Sequence, residues 1–257
     1  MRVATFNILH GAVAGREEVD PGQLGEAVAS LDADLVGLQE VDRFQPRSGG
    51  ADLTAVAAAA MGAVEHRFVA ALAGTPDAVW TAATGREQPD SAAYGVAFLS
   101  RYPVSSWHVV RLPRAPVPVP HRFHGRRGVT LVHDEARVGI VADVDSPEGP
   151  LRVVTTHLSF LNVWNGVQLR RLRASCAEGP SPTVLMGDLN MGPSRAARIT
   201  RMRSLASGVT FPARAPAHQL DHVLGHGSVR STGSRTVRLP ISDHLALVSE
   251  VQLGPLG

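Results

Sequence analysis

Polar side chains recur directly behind apolar runs along this chain. Asn7 follows Val3-Ala4-Thr5-Phe6, Glu40 follows Leu35-Val36-Gly37-Leu38-Gln39, and His157 follows Val153-Val154-Thr155-Thr156. Asp188 and Asn190 come after Val184-Leu185-Met186-Gly187, Asp221 lies inside Gln219-Leu220-Asp221-His222-Val223-Leu224, and Asp243-His244 precede another apolar run. A buried carboxylate is costly unless it finds a partner or a metal. Strand ends converging on one edge would gather these groups into an oxygen-rich, thiolate-free set. Such a set suits Mg²⁺ or Mn²⁺ rather than zinc. Histidines and amides beside the cation can bind phosphoryl oxygens, orient water and protonate a leaving group. The pattern points to phosphoester chemistry, in which positioning and charge stabilisation carry the rate.

Taken singly, each residue has an ordinary structural use. Asn7 suits a strand-end turn, Glu40 an ion pair or a helix start, and His157 a hydrogen-bonded interior position. Asp188-x-Asn190 makes a good Asx turn, which Gly192-Pro193 strengthens, and Ser242-Asp243-His244 reads equally as a cap or turn. Asp221 within an apolar strand needs a partner. These separate uses leave the ordered set unexplained.

The elements that must position the set follow from pattern and punctuation. Arg2–Ile8 reads as a strand. Asp20-Pro21 supplies a helix N-cap and a first-turn proline, and Leu24, Val28 and Leu31 form one apolar stripe. Leu35 to Leu38 reads as a buried strand, and a helix is expected over Asp52–Met61, stopped by Gly62. Further strands are expected at Arg67–Ala71, Tyr94–Leu99, Val104–Arg111, Val129–His133, Arg137–Val144, Leu151–Thr156, Val184–Met186, Gln219–Leu224, Ser228–Ser231 and Leu245–Leu253. Helices are expected over Gly166–Ala177 and Ser194–Ser204. The Pro- and Arg-rich segment Arg111–Gly128 reads as an irregular surface loop. Many short strands interrupted by helices predict two packed sheets flanked by helices, an α/β (α+β) architecture, folded as one domain over 1–257.

Composition narrows the classes. The 257 residues are 44% hydrophobic and 19% charged, as in an ordinary globular protein. Every one of the 25 basic residues is arginine and the formal charge is only +2, so the balance hardly argues for nucleic acid. Cys176 is alone, which rules out an intrachain disulfide. The N-terminus runs straight into a strand pattern without the features of a signal peptide, and no apolar stretch approaches the roughly 18 residues of a membrane span. A cytoplasmic monomer is expected.

The ordered motifs resemble the endonuclease/exonuclease/phosphatase superfamily, the fold of pancreatic-type deoxyribonuclease, exonuclease III, neutral sphingomyelinases and inositol polyphosphate phosphatases. The resemblance is carried by Ala4-Thr5-Phe6-Asn7-Ile8, Asp34-Leu35-Val36-Gly37-Leu38-Gln39-Glu40-Val41, Phe98-Leu99-Ser100-Arg101-Tyr102-Pro103, Thr155-Thr156-His157-Leu158, Gly187-Asp188-Leu189-Asn190, Gln219-Leu220-Asp221-His222-Val223 and Ser242-Asp243-His244. It implies a four-layer α/β/β/α sandwich with the site at one edge of the paired sheets. It also implies that Glu40 is the principal metal ligand, with Asn7 and Asp243 nearby, and that Asp221 orients His244 as general base or phosphate-polarising group. Asp188 and Asn190 would then align water and hold phosphoryl oxygens. His157 matches the second histidine of the deoxyribonuclease and sphingomyelinase branches, a general acid or transition-state donor there. Abasic-site endonucleases usually carry tyrosine at that position, which argues against that branch. The chain departs from many relatives at Tyr94-Gly95-Val96, where asparagine commonly follows the glycine; the change removes a polar contact expected at the rim.

Substrate choice should lie in edge loops. Arg43, Arg47, Arg126 and Arg127 are candidates to grip an anionic substrate bidentately, and Phe160, Leu161 and Trp164 to wall the cleft. Any single arginine reads somewhat more readily as solvated surface in a lysine-free chain. No DNA-binding motif is evident, so the leaving group stays open among nucleic acid, phospholipid head group, inositol phosphate and small phosphoester. A non-catalytic phosphate- or partner-binding scaffold is the other class; such a scaffold would lose members of the polar set, and here all are present.

Overall fold

The structure is a computed structural model that describes residues 1–13, 19–76, 78–122, 128–176 and 182–254. Its elements run β1 (Arg2–Asn7), α1 (Pro21–Ser30), β2 (Leu35–Arg43), α2 (Leu53–Met61), β3 (Glu65–Gly74), β4 (Trp80–Ala82), β5 (Ala93–Ser100), β6 (Val104–Leu112), β7 (Val119–His121), β8 (Thr130–Val132), β9 (Arg137–Ser146), β10 (Gly149–His157), α3 (Asn162–Ser175), β11 (Thr183–Asp188), α4 (Pro193–Thr200), β12 (Arg203–Ser204), β13 (Asp221–His226), β14 (Val229–Val237) and β15 (Ala246–Leu253). One sheet has the order β14-β15-β1-β2-β5-β3-β4 and the other β12-β13-β11-β10-β9-β6, with β7-β8 as a separate two-stranded arm.

Three apolar layers hold the sandwich together. Val3, Leu35, Phe98, Ile140, Val153 and Val184 fill the space between the sheets. Phe6, Leu24, Val28, Leu38 and Leu53 pack α1 and α2 on the outer face of the first sheet. Val154, Leu169, Leu172, Leu185 and Leu189 do the same for α3 and α4 on the second. Central strands are therefore covered on both faces, which is why β1, β2 and β11 read as continuous apolar runs rather than alternating ones. Burying a leucine or phenylalanine this way contributes about 1.5–3 kcal/mol each. The helix starts follow the sequence signals: Asp20 accepts from Gly22 N, and Asp52 from Thr54 N and Ala55 N. Gly62 closes α2 in the left-handed conformation at φ 69°.

Towards the functional edge the space between the sheets turns polar. The Thr5 hydroxyl donates to Gln39 Oε1 (3.2 Å), and Gln39 Nε2 donates to Thr155 Oγ1 (3.4 Å). Gly37 permits this approach, because a Cβ there would collide with the Thr155 side chain.

Several expectations need correction. Arg111–Gly128 is not wholly irregular: Arg111 belongs to β6, and Val119–His121 pairs with Thr130–Val132 in the β7–β8 arm. A two-stranded ribbon leaves outer edges free, so prolines there cost few ladder bonds. Helix α3 starts at Asn162, before Gly166, with no side-chain cap at Leu161 to announce it. Helix α4 ends at Thr200, because Arg201 takes the left-handed conformation (φ 57°) and the chain then forms β12 against β13. Strand β14 runs on to Val237 through a bulge; its exposed edge sequence carries little apolar signal. Val96 is 2% exposed and packed between the sheets, so its side chain is interior and not at the rim.

Candidate active site

The polar set gathers where strands of both sheets end. Asn7 is the last residue of β1, while His157 and Asp188 close β10 and β11. Across the second sheet, His157 pairs with Asp188 and Asp188 with Asp221, so the three side chains share one rung and one face. Asp221 heads β13 rather than lying inside it. Asp243 and His244 come from the turn before β15 of the first sheet.

Glu40 enters by a different device. A β-bulge interrupts the β2–β5 register between Gln39 and Val41, and Glu40 takes φ 58° there. The extra residue breaks strand alternation and re-aims a side chain, here onto Asn7. Asn190 (φ 49°) and Ser242 (φ 74°) share this left-handed backbone. Such conformations cost of order 1–3 kcal/mol each and cluster at functional sites.

Asn7 joins the two sheets: its Nδ2 donates to Glu40 Oε1 (3.0 Å) and to Asp188 Oδ2 (3.1 Å). Asp188 Oδ1 accepts from Asn190 N (3.0 Å), the Asx turn expected from the sequence. His244 Nδ1 meets Asp221 Oδ2 at 2.8 Å, and its Nε2 lies 3.8 Å from Asp188 Oδ2. Ser242 fixes this turn, its hydroxyl donating to Asn7 O (2.6 Å) and accepting from His244 N (3.0 Å). The Phe211 ring covers the imidazole at 4.8 Å between centroids.

His157 sits differently. Arg137 Nη1 lies 3.0 Å from its Nδ1, and Nη2 pairs with Glu135 at 3.0 Å. A guanidinium only donates, so Nδ1 accepts and Nε2 carries the proton of the neutral ring. That Nε2–H faces Asp188 Oδ2 at 3.6 Å. The 3.3 Å approach of Asn190 Nδ2 to Nε2 is then a contact between donors; the amide donates instead to Leu158 O at 3.0 Å.

These surroundings divide the titrating groups. Burial and then the Arg137 charge push His157 well below the usual imidazole value, so it is neutral at pH 7. Burial also acts to lower His244, but Asp221, Asp188 and Asp243 outweigh it and push it up to about 10. Burial raises Glu40 and Asp188, the latter also through Asp221. One neutral and one cationic histidine therefore flank the same carboxylate.

The residues present fit a hard cation. Asp188 and Asp221 bring carboxylate oxygens within 4.8 Å of each other, and Asp221 Oδ1 is buried without a partner. Glu40 and Asp243 line the same cleft of about 370 Å³, together with Tyr94, Glu135, Arg137, Phe160, Phe211 and Leu220.

Sequence reasoning thus placed Asn7, Glu40, His157, Asp188, Asn190, Asp221, Asp243 and His244 together, and the structure brings them together. Arg43 and Trp164 are not among the cleft-lining residues: Arg43 turns over Phe68, and Trp164 is half-buried in the first turn of α3. Arg47 is held by Asp42 in a bidentate pair of 2.8 and 2.7 Å. Arg126 and Arg127 lie outside the described residues. Arg137, Glu135 and Phe211 were missed. The Asp134-Glu135 pair just before Arg137 was the available signal for the first two, and it is weak.

Two packed sheets delivering carboxylates, amides and histidines to one edge define a layered α/β hydrolase site. The family model for the Endonuclease/Exonuclease/phosphatase family matches residues 4–244, and the chain belongs to that family of phosphoesterase hydrolases. An endonuclease/exonuclease/phosphatase structure from Beutenbergia cavernae DSM 12333 superposes with a TM-score of 0.72 at 23% identity, covering 100% of this chain and 73% of that one. The mannosyl-6-phosphatase Bt3783 of Bacteroides thetaiotaomicron VPI-5482 gives 0.61 at 13% identity, covering 98% and 99%. A truncated TDP2 from Caenorhabditis elegans gives 0.62 at 15%, covering 98% and 97%. No curated protein matches the chain in sequence. Among the described residues no helix is long and apolar enough to cross a membrane.

Proposed function

We propose that the protein is a Mg²⁺- or Mn²⁺-dependent phosphodiesterase of nuclease type. The observation that carries this reading is the convergence of Glu40, Asn7 and Asp188 from both sheets beside the Asp221–His244 pair. Glu40 would hold the cation, with Asn7 and Asp243 close by. When bound, the cation neutralises charge developing on the phosphoryl group. The chain's own groups do the rest. Asp188, positioned by the Asn190 amide and Asn7, takes the proton of the water whose oxygen adds to phosphorus as the ester P–O bond breaks. His244, cationic beside Asp221, polarises a phosphoryl oxygen. Of the two roles open for His244, its charge beside Asp221 supports the polarising one. Neutral His157 donates its Nε2–H to an oxygen of the transition state. Phe160, on the cleft wall, offers a surface for a base or an acyl chain.

The test is hydrolysis of bis-p-nitrophenyl phosphate with Mg²⁺ or Mn²⁺, expected to be abolished by EDTA and by Glu40→Ala. Absence of turnover with any divalent metal would overturn the reading in favour of a binding scaffold. A panel of single-stranded and duplex DNA, RNA, sphingomyelin, inositol phosphates and sugar phosphates, the last suggested by the mannosyl-6-phosphatase likeness, then orders the substrates.

A further inference from the structure

A second, larger cavity of about 690 Å³ lies away from the catalytic cleft and shares no lining residue with it. It is a trough between two sheet edges. On one side is β6, the last strand of the second sheet; on the other is β3, which β4 covers only at Leu72–Gly74. Arg43, Arg67, Arg111 and Arg171 come to it from β2, β3, β6 and α3.

Glu87 is the one acidic residue among the lining groups. Its carboxylate is committed to its own loop, accepting from the Thr84 N–H and hydroxyl and from Gly85 N–H. Among the described residues none of the four arginines is in an ion pair. Two guanidinium groups are held over rings: Arg43 lies 4.8 Å from the Phe68 centroid and Arg67 5.7 Å from that of Trp107. Arg43 Nε is buried with no hydrogen-bond partner, and the Arg111 guanidinium lies against Gly85, where a Cβ would come within 2.9 Å of Nη2. Like charges gathered without counter-charge repel one another, and a multiply charged anion relieves that repulsion. The planar fork of arginine matches phosphate oxygens bidentately. The volume falls within the roughly 300–1,000 Å³ of small-ligand sites.

We propose that this trough binds a phosphate-bearing polyanion, with Arg43, Arg67, Arg111 and Arg171 as its contacts. The site is independent of the reading given to the catalytic cleft. Its ligand is either a free polyphosphate-type effector or the remote phosphates of a substrate.

The test is calorimetric titration of the whole protein with pyrophosphate, and separately with inorganic phosphate, in EDTA. EDTA removes any cation from the cleft, and Arg111 and Arg171 do not line it, so binding lost on changing them belongs to the trough. Pyrophosphate is expected to bind at least about tenfold more tightly than phosphate. Arg111→Gln/Arg171→Gln, both exposed in the fold, should weaken pyrophosphate by about tenfold or more, the scale of a lost charge-assisted contact. Arg170→Gln/Arg198→Gln removes the same charge from the open α3–α4 face and should change binding less than about twofold. Arg67→Gln is an independent second variant expected to weaken it similarly to the first pair. Equal losses in the two double variants, or no pyrophosphate binding to the wild type, would overturn the proposal. Competition by pyrophosphate against a substrate from the panel that carries several phosphates, lost in the Arg111→Gln/Arg171→Gln variant, identifies the remote phosphates of that substrate as the ligand; pyrophosphate binding without competition identifies a free effector.

Discussion

Asp221 shows how much one side chain can set at this site. It is fully buried, one oxygen is spent on His244 Nδ1 at 2.8 Å and the other has no partner. Against burial, its charge leads those of Asp188 and Asp243 in raising His244. Asp221→Asn keeps the shape but removes that charge, so the His244 pKa should fall, as an NMR titration of the imidazole would show. kcat should drop by about two to four orders of magnitude, the scale seen when a histidine loses its orienting carboxylate; a shifted titration with unchanged kcat would separate His244 from the chemistry. Residue type made Asp221 legible as a carboxylate in need of a partner, and only the family resemblance named His244 as that partner. The Glu40 bulge was not legible. Its left-handed backbone depends on the β2–β5 register, and no local pattern around Gln39-Glu40-Val41 encodes a register shift.

The elements around the cleft are tied by buried polar links. Asp134 is 4% exposed; its Oδ1 accepts from Ser159 Oγ (2.6 Å) and its Oδ2 from Ala115 N (3.0 Å). Gln168 of α3 accepts from Ser159 N (2.8 Å) and donates to Pro113 O (2.9 Å). This network joins the ends of β6, β10 and α3 beside His157. Asp134→Ala orphans two donors at roughly 1–3 kcal/mol each, a loss to be read from the urea midpoint, with activity falling as His157 loses its support. The β13 strand offers a pH test. His222 is fully buried, with Nε2 2.8 Å from Met191 O, and burial lowers its pKa below 6.5. The unfolded chain therefore takes up a proton near pH 6.5 that the folded chain does not. Its contribution to stability is complete above 6.5 and is lost as pH falls, by at most about 1.4 kcal/mol per pH unit. Wild type should lose more Tm between pH 7 and 5 than His222→Gln; parallel curves would exclude the effect. Asp52, expected inside α2, is its cap, whereas the Asp20-Pro21 start of α1 and the Gly62 stop of α2 were readable to the residue. Helix α3 and strand β14 were not, since tertiary contacts rather than local signals set where they begin or end.

At the scale of the whole molecule the cleft is a seam. Asn7, Glu40, Asp243 and His244 belong to the first sheet and its connections, while His157, Asp188 and Asp221 belong to the second. The sandwich was foreseeable because many short strands with interspersed helices admit few layered solutions. The pairing of distant strands was foreseeable only through the ordered motifs. Carboxylates repel one another on each side of the seam, Glu40 with Asp243 and Asp188 with Asp221, while Asn7 bridges Glu40 and Asp188 across it. A cation binding there would relieve that repulsion and fasten one sheet to the other, so it should bind the folded chain far better than the unfolded one. At a metal concentration of 100 Kd the linkage adds about 2.7 kcal/mol, which for a chain of this size raises Tm by roughly 5–10 °C. Thermal melts in EDTA and in increasing Mn²⁺ measure the shift directly. Glu40→Gln should lose most of it while melting normally in EDTA. A wild-type Tm indifferent to Mn²⁺ and Mg²⁺ would mean that the acidic seam closes without a metal.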